Sequence, residues 1–443
     1  MRGLRTLTTV AVSATALFAT LGATMAPGAP EPPHPGQPIV GPRNCFLRGA
    51  ITTADPDSNR AFPDSGAIYW TSRFSLPEGF QLRITGKFAH ARYQSFNSYS
   101  DASSIDALSD VETKPDPGST NPYVEGNRRD LAKRSYTIRV VNQPPPPDGA
   151  PRADNTLYAG VDGVAEQRLI YRLYVPDEGQ DLSGGVPVPH VAAVTPDGTV
   201  LRGERACAAA NVLDEPLPLT TLPKELSDEL TDQPGKPPWF PAVNPPRWAA
   251  FYNQTFGIGC VYHGECGGSP ERTGGQYNNG DAAYMTAPVS TQLGQVLVMR
   301  GKLPTFPDTS NGAKRMPGGQ LRYWSICQNE GLVTTRGAGC LYDHQLELNR
   351  RGMYTIVTAK RGDRPSNAYR RCGVGWLPWP ARGDGAGHPS GGLLFIRNIL
   401  PDPSFEHSIH RTSHPGDERE ILGRYYPSSR YTSTERFEAR GCR

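Results

Sequence analysis

"DSGAIYWT" (64–71) and "NGDAAYMT" (279–286) lie far apart in the chain, yet the phrases that follow them come in the same order. Gly86-Lys87-Phe88 is answered by Gly301-Lys302-Leu303, and Arg92-Tyr93-Gln94-Ser95 by Arg322-Tyr323-Trp324-Ser325. "RSYTIRVV" (134–141) returns as "RGMYTIVT" (351–358), and "RLIYRLYVPD" (168–177) as "GLLFIRNILPD" (392–402). Chance likeness among Tyr- and Val-rich strands yields one or two such pairs. Five in register point to an internal duplication, so the chain must fold the same way twice.

Each phrase reads as a strand. Tyr136, Ile138 and Val140 alternate with Thr137 and Arg139, while Leu169, Tyr171, Leu173 and Val175 share one face. "VLVM" (296–299) is apolar throughout, as in a strand covered on both sides. Gly, Pro, Asn and Asp separate these pieces, including the tetraproline in "NQPPPPDGAP" (142–151), which cannot lie within a sheet. Short strands with turn signals and no alternating helices predict a mainly β fold. The expected form is two tandem antiparallel β-sandwich, jelly-roll-like domains over 45–207 and 275–402. A helical connector is expected over 208–274, built from "TLPKELSDEL" (221–230) and "PRWAAFYNQTFG" (246–257). A C-terminal helix and tail, 403–443, would follow, with "DPSFEHSIH" (402–410) as the helix start.

The first residues indicate export. Arg2 and Arg5 precede an apolar stretch from Val10 to Leu21 and then small residues, the pattern of a signal peptide over 1–26. A proline-rich leader, 27–44, follows. The expected localisation is therefore secreted and extracellular, with no integral membrane segment after cleavage. Losing Arg2 and Arg5 takes the formal charge from +3 to +1. Without a basic stripe, nucleic acid is not expected as a partner. Eight cysteines, 45, 207, 260, 266, 327, 340, 372 and 442, are an even count in an exported chain and predict disulfides. Local spacing favours Cys260–Cys266 and Cys327–Cys340. Cys45 and Cys207 bracket the first half, and Cys372 and Cys442 flank the tail. "CVYHGEC" also offers Cys260, His263 and Cys266 at a zinc-like spacing, against which the oxidising compartment weighs.

No motif names a reaction: G-x-S-x-G, H-E-x-x-H and a phosphate-cradling loop are all absent from the sequence. His407, His410 and His414 have metal-like spacing, but Pro415 and the buried face required by Phe405 and Ile409 set them on a surface and a loop. "DPDSN" (55–59) lacks the glycine and glutamate of a calcium loop and reads as a turn. The Arg-Gly-Asp triplets at 361–363 and 382–384 read as turns too. Trp376 and Trp379 could stack on a sugar or flat ligand, or pin a loop. Arg-Tyr-x-Ser occurs in both copies and reads as structural, since a site needs only one copy.

Two functions remain open on the sequence. One is an extracellular or envelope-associated binding protein, for a small molecule or glycan, with no cofactor expected. The other is a secreted hydrolase or metal-dependent enzyme with its site at the seam between domains, marked by convergence of His90, Asp101, Asp343 or His344. Any ligand is expected near His407, His410, Tyr425, Tyr426, Trp376 and Trp379.

Overall fold

Alternation of apolar residues becomes alternation of burial in the computed structural model, which describes residues 45–147 and 149–442. The expected signal peptide and leader lie outside those residues. In the first half the strands are β1 (Arg48–Ile51), β2 (Ala67–Phe74), β3 (Gln81–Lys87), β4 (Ala91–Ser100), β5 (Ser103–Ser109), β6 (Ser135–Val141), β7 (Thr156–Tyr158), β8 (Gln167–Pro176), β9 (His190–Val194) and β10 (Val200–Leu201). In the second half they are β11 (Ala249–Phe251), β12 (Ala282–Ser290), β13 (Val296–Lys302), β14 (Leu321–Asn329), β15 (Gly337–Tyr342), β16 (Met353–Ala359), β17 (Gly375–Pro378), β18 (Gly391–Pro401) and β19 (Ser428–Thr432).

Four sheets result, ordered β1-β2-β8-β4-β5, β10-β9-β3-β6-β7, β11-β12-β18-β14-β15 and β17-β16-β13-β19. The order β2-β8-β4-β5 corresponds to β12-β18-β14-β15, and β9-β3-β6-β7 to β19-β13-β16-β17. Pairing is antiparallel except β6 with β7 and β16 with β17, which are parallel and stand in like positions. All described residues belong to one compact unit.

In each half the two sheets turn one face to a common core. Trp70 stacks on Tyr171 in the first, with centroids 5.4 Å apart, and Phe96 stacks on the same ring. Trp324 packs against Tyr354 in the second, near Trp248 and Trp379. The Gly-Lys pairs have a packing reason. Gly86 is paired with Tyr136 and Gly301 with Tyr354, and a Cβ at either glycine would stand 2.6 Å from the tyrosine hydroxyl. Only glycine leaves room for the ring to lie across the neighbouring strand. "VLVM" is buried on both sides, Leu297 and Met299 toward the second core and Val296 and Val298 toward a smaller cluster with Val357 and Phe437.

Several boundaries differ from the sequence expectation. Residues 249–251 are a strand on β12, not a helix, because Trp248, Ala250 and Tyr252 are buried while Ala249 and Phe251 are only partly so, which is a period of two. Helix begins only at Gln254, where the Asn253 side chain accepts from the Phe256 amide, and a wider turn continues to Gly264 at φ 76°. "DPSFEHSIH" forms turns and a short 3₁₀ segment at Ile409–Arg411, not an α-helix. The tail supplies β19, which pairs with β13, so the second half extends from 249 to 432 instead of closing at 402. In the connector, the helix Lys224–Thr231 buries Leu230, with Leu222 buried just before it, but leaves Leu226 exposed.

The cysteines form Cys45–Cys207, Cys260–Cys266, Cys327–Cys340 and Cys372–Cys442. Both candidate zinc thiols at 260 and 266 are thereby used. Among the described residues no helix is long and apolar enough to cross a membrane. Four disulfides fit an extracellular protein.

Candidate functional site

The Arg-Tyr-x-Ser phrases open β4 and β14, and they meet at the seam between the halves. Arg92 Nη1 donates to Asp343 of the other half, and Arg322 Nη1 donates to both oxygens of Asp110 at 2.9 and 3.0 Å. Each carboxylate also accepts a backbone amide, Asp343 from Trp324 at 2.9 Å and Asp110 from Gln94 at 3.1 Å. The Arg92 guanidinium sits 4.9 Å from the Phe306 ring.

The turns before β2 and β12 cross the seam as well. Tyr323 and Ser325 donate to Asp64 at 2.7 and 2.5 Å, and Tyr93 donates to Asn279 at 3.1 Å and to Asp281 at 2.6 Å. Phe62 and Tyr277, both at φ 51°, present their carbonyls to Arg397 and Arg172 respectively. Each half thus lends a turn to the other. Register makes the partners equivalent: Tyr69 faces Arg172 as Tyr284 faces Arg397, so Asp64 holds the place that Asn279 holds opposite.

Where the two β8- and β18-centred sheets diverge from this contact, their outer faces enclose a cleft of about 520 Å³. Tyr69, Ile170, Arg172 and Tyr174 line it from the first half, and Tyr284, Thr286, Leu393, Phe395 and Arg397 from the second. The connector covers it with Leu217, Leu219, Ile258, Val261 and Tyr262. Its size falls in the range of small-molecule sites, and its wall is mostly apolar with a few convergent polar groups.

The two arginines differ in charge environment. Arg397 is 4% exposed and its Nη1 lies 3.4 Å from Asp64. Arg172 is 3% exposed, and its Nη2 donates to the carbonyls of Tyr277 at 2.6 Å and Asn278 at 3.3 Å. Among the described residues no carboxylate pairs with it, and Nη1 has no hydrogen-bond partner. The groups around it are the phenols of Tyr99, Tyr174, Tyr284 and Tyr69. Burial pushes nearby Asp281 up to about 6, although the Tyr93 hydrogen bond and the charge of Arg172 oppose this. Burial likewise pushes Asp110 up to about 7 against the pull of Arg322.

The residues singled out from sequence lie elsewhere. His407 Nδ1 meets the Ile421 carbonyl at 2.6 Å, and its ring is 5.6 Å from Tyr425, which in turn packs on Phe405. His410 is part-buried with Nε2 on the Asp281 carbonyl at 3.2 Å. His414 is exposed, and the three histidines do not gather to ligating distance among the described residues. Tyr426 reaches the Trp248 carbonyl at 3.4 Å. Trp379 is buried in the second core, whereas Trp376 sits in β17 with Arg364 at 4.9 Å. None of these six candidate ligand-binding residues lines the cleft. A close trio of Asp64, Cys327 and Cys340 has its sulfurs in a disulfide and offers no thiolate.

His90, Asp101, Asp343 and His344 do not share a concave site. His90 lies against Arg134 near Asp177, Asp101 is exposed, and Asp343 is fully engaged at the seam. His344 does meet Ser310 at 3.1 Å and Asp308 at 3.3 Å. Ser310 Oγ also lies 3.4 Å from Nε2, but its hydroxyl donates to Asp308 at 2.7 Å, so the aspartate holds the serine proton instead of orienting the imidazole to take it as in a nucleophilic triad. "DPDSN" is a turn in which the Asp55 carboxylate accepts from the Asp57 amide. In the second Arg-Gly-Asp triplet, Arg382 is paired with Glu330 and Asp384 with His388.

No protein-family model matches the chain, and a search of curated proteins finds no match. Among solved structures, an uncharacterised protein from Burkholderia cenocepacia is similar at 14% identity and TM-score 0.45, covering 88% of this chain and 84% of its own. A protein from Vibrio parahaemolyticus is similar at 11% identity and TM-score 0.39, covering 84% and 90%. Likenesses this distant assign no activity.

Proposed function

We propose that the chain is a secreted binding protein, two β-sandwiches derived by duplication, whose seam cleft holds one apolar small molecule. The observation that carries this reading is the cleft itself: about 520 Å³, with aliphatic and aromatic side chains contributed by both halves and the connector. The matching strand orders and the reciprocal Arg–Asp pairs support the duplication. Four disulfides, together with the charged and apolar opening of the sequence, support secretion. An enzyme at the seam is the weaker reading, because among the described residues no histidine lines the cleft and its one serine, Ser58, donates to the Thr52 carbonyl. The His407–Tyr425–Phe405 patch is a second place for a ligand, on the strength of its clustered rings.

Titration calorimetry with decanol tests the cleft. Thr286 is part-buried on its wall, so Thr286→Trp fills the space without entering either core. Decanol binds the wild type and binds the variant at least tenfold more weakly. Equal binding to both, or none to the wild type, refutes the reading.

A further inference from the structure

Cleft and seam together say something about the ligand's polarity, given that the cleft is the binding site. We propose that the occupant is an amphipathic monoanion, an apolar body with one carboxylate or comparable acidic head, and that the head is received by Arg172.

A buried guanidinium without a counter-charge is costly, and proteins supply either a carboxylate or an exit to water. Arg397 has Asp64. Arg172 occupies the equivalent register position, but the residue standing where Asp64 stands is Asn279. Asn279 keeps two of its counterpart's contacts: its carbonyl accepts the Ala282 amide as that of Asp64 accepts the Ala67 amide, and its side chain accepts from Tyr93 as Asp64 accepts from Tyr323. It lacks the charge and the contact that Ser325 gives Asp64; the nearby carboxylate is Asp281, which accepts from Tyr93 at 2.6 Å and feels Arg172 without forming an ion pair with it. Arg172 is left with two backbone carbonyls, the faces of Tyr69 and Tyr99 at 5.8 and 5.7 Å, and an Nη1 with no partner. It lines a cleft whose other surfaces are mainly apolar. An acid seated there supplies the charge that Asn279 does not, and its chain lies against Ile170, Leu217 and Leu219. With Nη2 held by the two carbonyls, Nη1 is the donor left for a charge-assisted hydrogen bond to the acid. Of the two buried arginines in the cleft Arg397 is already neutralised, so Arg172 is the one left to receive an acidic head.

Decanoate and decanol, which differ in the head alone, are the probes, titrated calorimetrically into the full disulfide-bonded chain at neutral pH. Wild type binds decanoate at least tenfold more tightly than decanol. Arg172→Gln removes that preference, bringing the ratio of decanoate to decanol affinity to within twofold of one. Asn279→Asp is the second variant: it recreates at Arg172 the pair that Arg397 has, retains the arginine and its packing, and also removes the preference. Equal affinity for the two probes in the wild type overturns the charge assignment while the cleft reading stands. A preference for decanoate that persists in both variants overturns Arg172 as the receptor. Binding of neither probe overturns the cleft reading itself.

Discussion

Asp343→Asn removes one charge from a pair that joins the halves. Arg92 is 0% exposed and Asp343 1%, so neither can turn to water. After the change the guanidinium keeps Asp308, 3.9 Å away and half in solvent, and the face of Phe306. Its Nε and Nη2 have no hydrogen-bond partner even in the native chain. The new amide group cannot accept from Arg92 and from the Trp324 and His344 amides as the two carboxylate oxygens do. Breaking a buried pair from one side costs about 3–5 kcal/mol, against ~0–1 kcal/mol for an exposed pair. Urea unfolding, followed by both far-ultraviolet circular dichroism and tryptophan fluorescence, measures the loss. Arg92→Met removes the other partner, and the double variant leaves no orphan charge. A cycle over the four proteins should therefore show a coupling of about 2–3 kcal/mol. An Asp343→Asn loss under ~0.5 kcal/mol, or additivity within that figure, refutes the claim that these charges depend on each other across the seam.

Gly301→Ala places a methyl group against the Tyr354 hydroxyl and should destabilise by about 1–3 kcal/mol; Tm shows it, and a neutral effect would mean the ring has room to move. Burial, helped by the charges of Arg272 and Arg411, lowers His410 to about 4 although its hydrogen bond to Asp281 opposes this. Between that value and the unfolded value near 6.5 the unfolded chain holds a proton that the folded chain does not, so His410 takes stability away as pH falls through this window. Asp110 and Asp281, both raised, act with the opposite sign, so the test is the difference between His410→Asn and wild type in stability from pH 7 to 4, where the variant should lose less. Cys45–Cys207 closes a span of 162 residues and Cys260–Cys266 one of 6. Chain entropy assigns their loss about 5 and about 2 kcal/mol, and equal Tm losses for the paired serine variants would show that loop length does not govern here.

The repeated phrases were readable because sheet interiors tolerate few substitutions: Tyr136 and Tyr354, Gly86 and Gly301 each answer a packing demand. β11 and β19 were not, since three and five residues at a sheet edge carry too little periodicity to outweigh a nearby helical pattern. The seam was half visible. Arg-Tyr-x-Ser stood out as structural, but its partners Asp343 and Asp110 lie in the opposite copy, and strand periodicity says nothing of what covers a strand's second face. β4, "ARYQSFNSYS", is polar on that face and still buried along nearly its whole length. The cleft was missed for the same reason. Leu169, Tyr171 and Leu173 carry the apolar alternation and fill the core, whereas Ile170, Arg172 and Tyr174 look the other way. An arginine between apolar neighbours on a strand's second face was the available signal.

The exchanged turns bear on symmetry. Two separate copies of one half, each lending its turn to the other, would form a twofold dimer in which every residue met its own counterpart's environment. Identical copies could not place Asp64 on one side and Asn279 on the other, so both arginines would be neutralised or neither. Joining the two halves in one chain makes their association an intramolecular encounter that does not weaken on dilution. It also releases them from sameness. One arginine paired with a carboxylate and its counterpart facing an asparagine is an arrangement that two unlike halves in one chain can hold and a dimer of identical halves cannot.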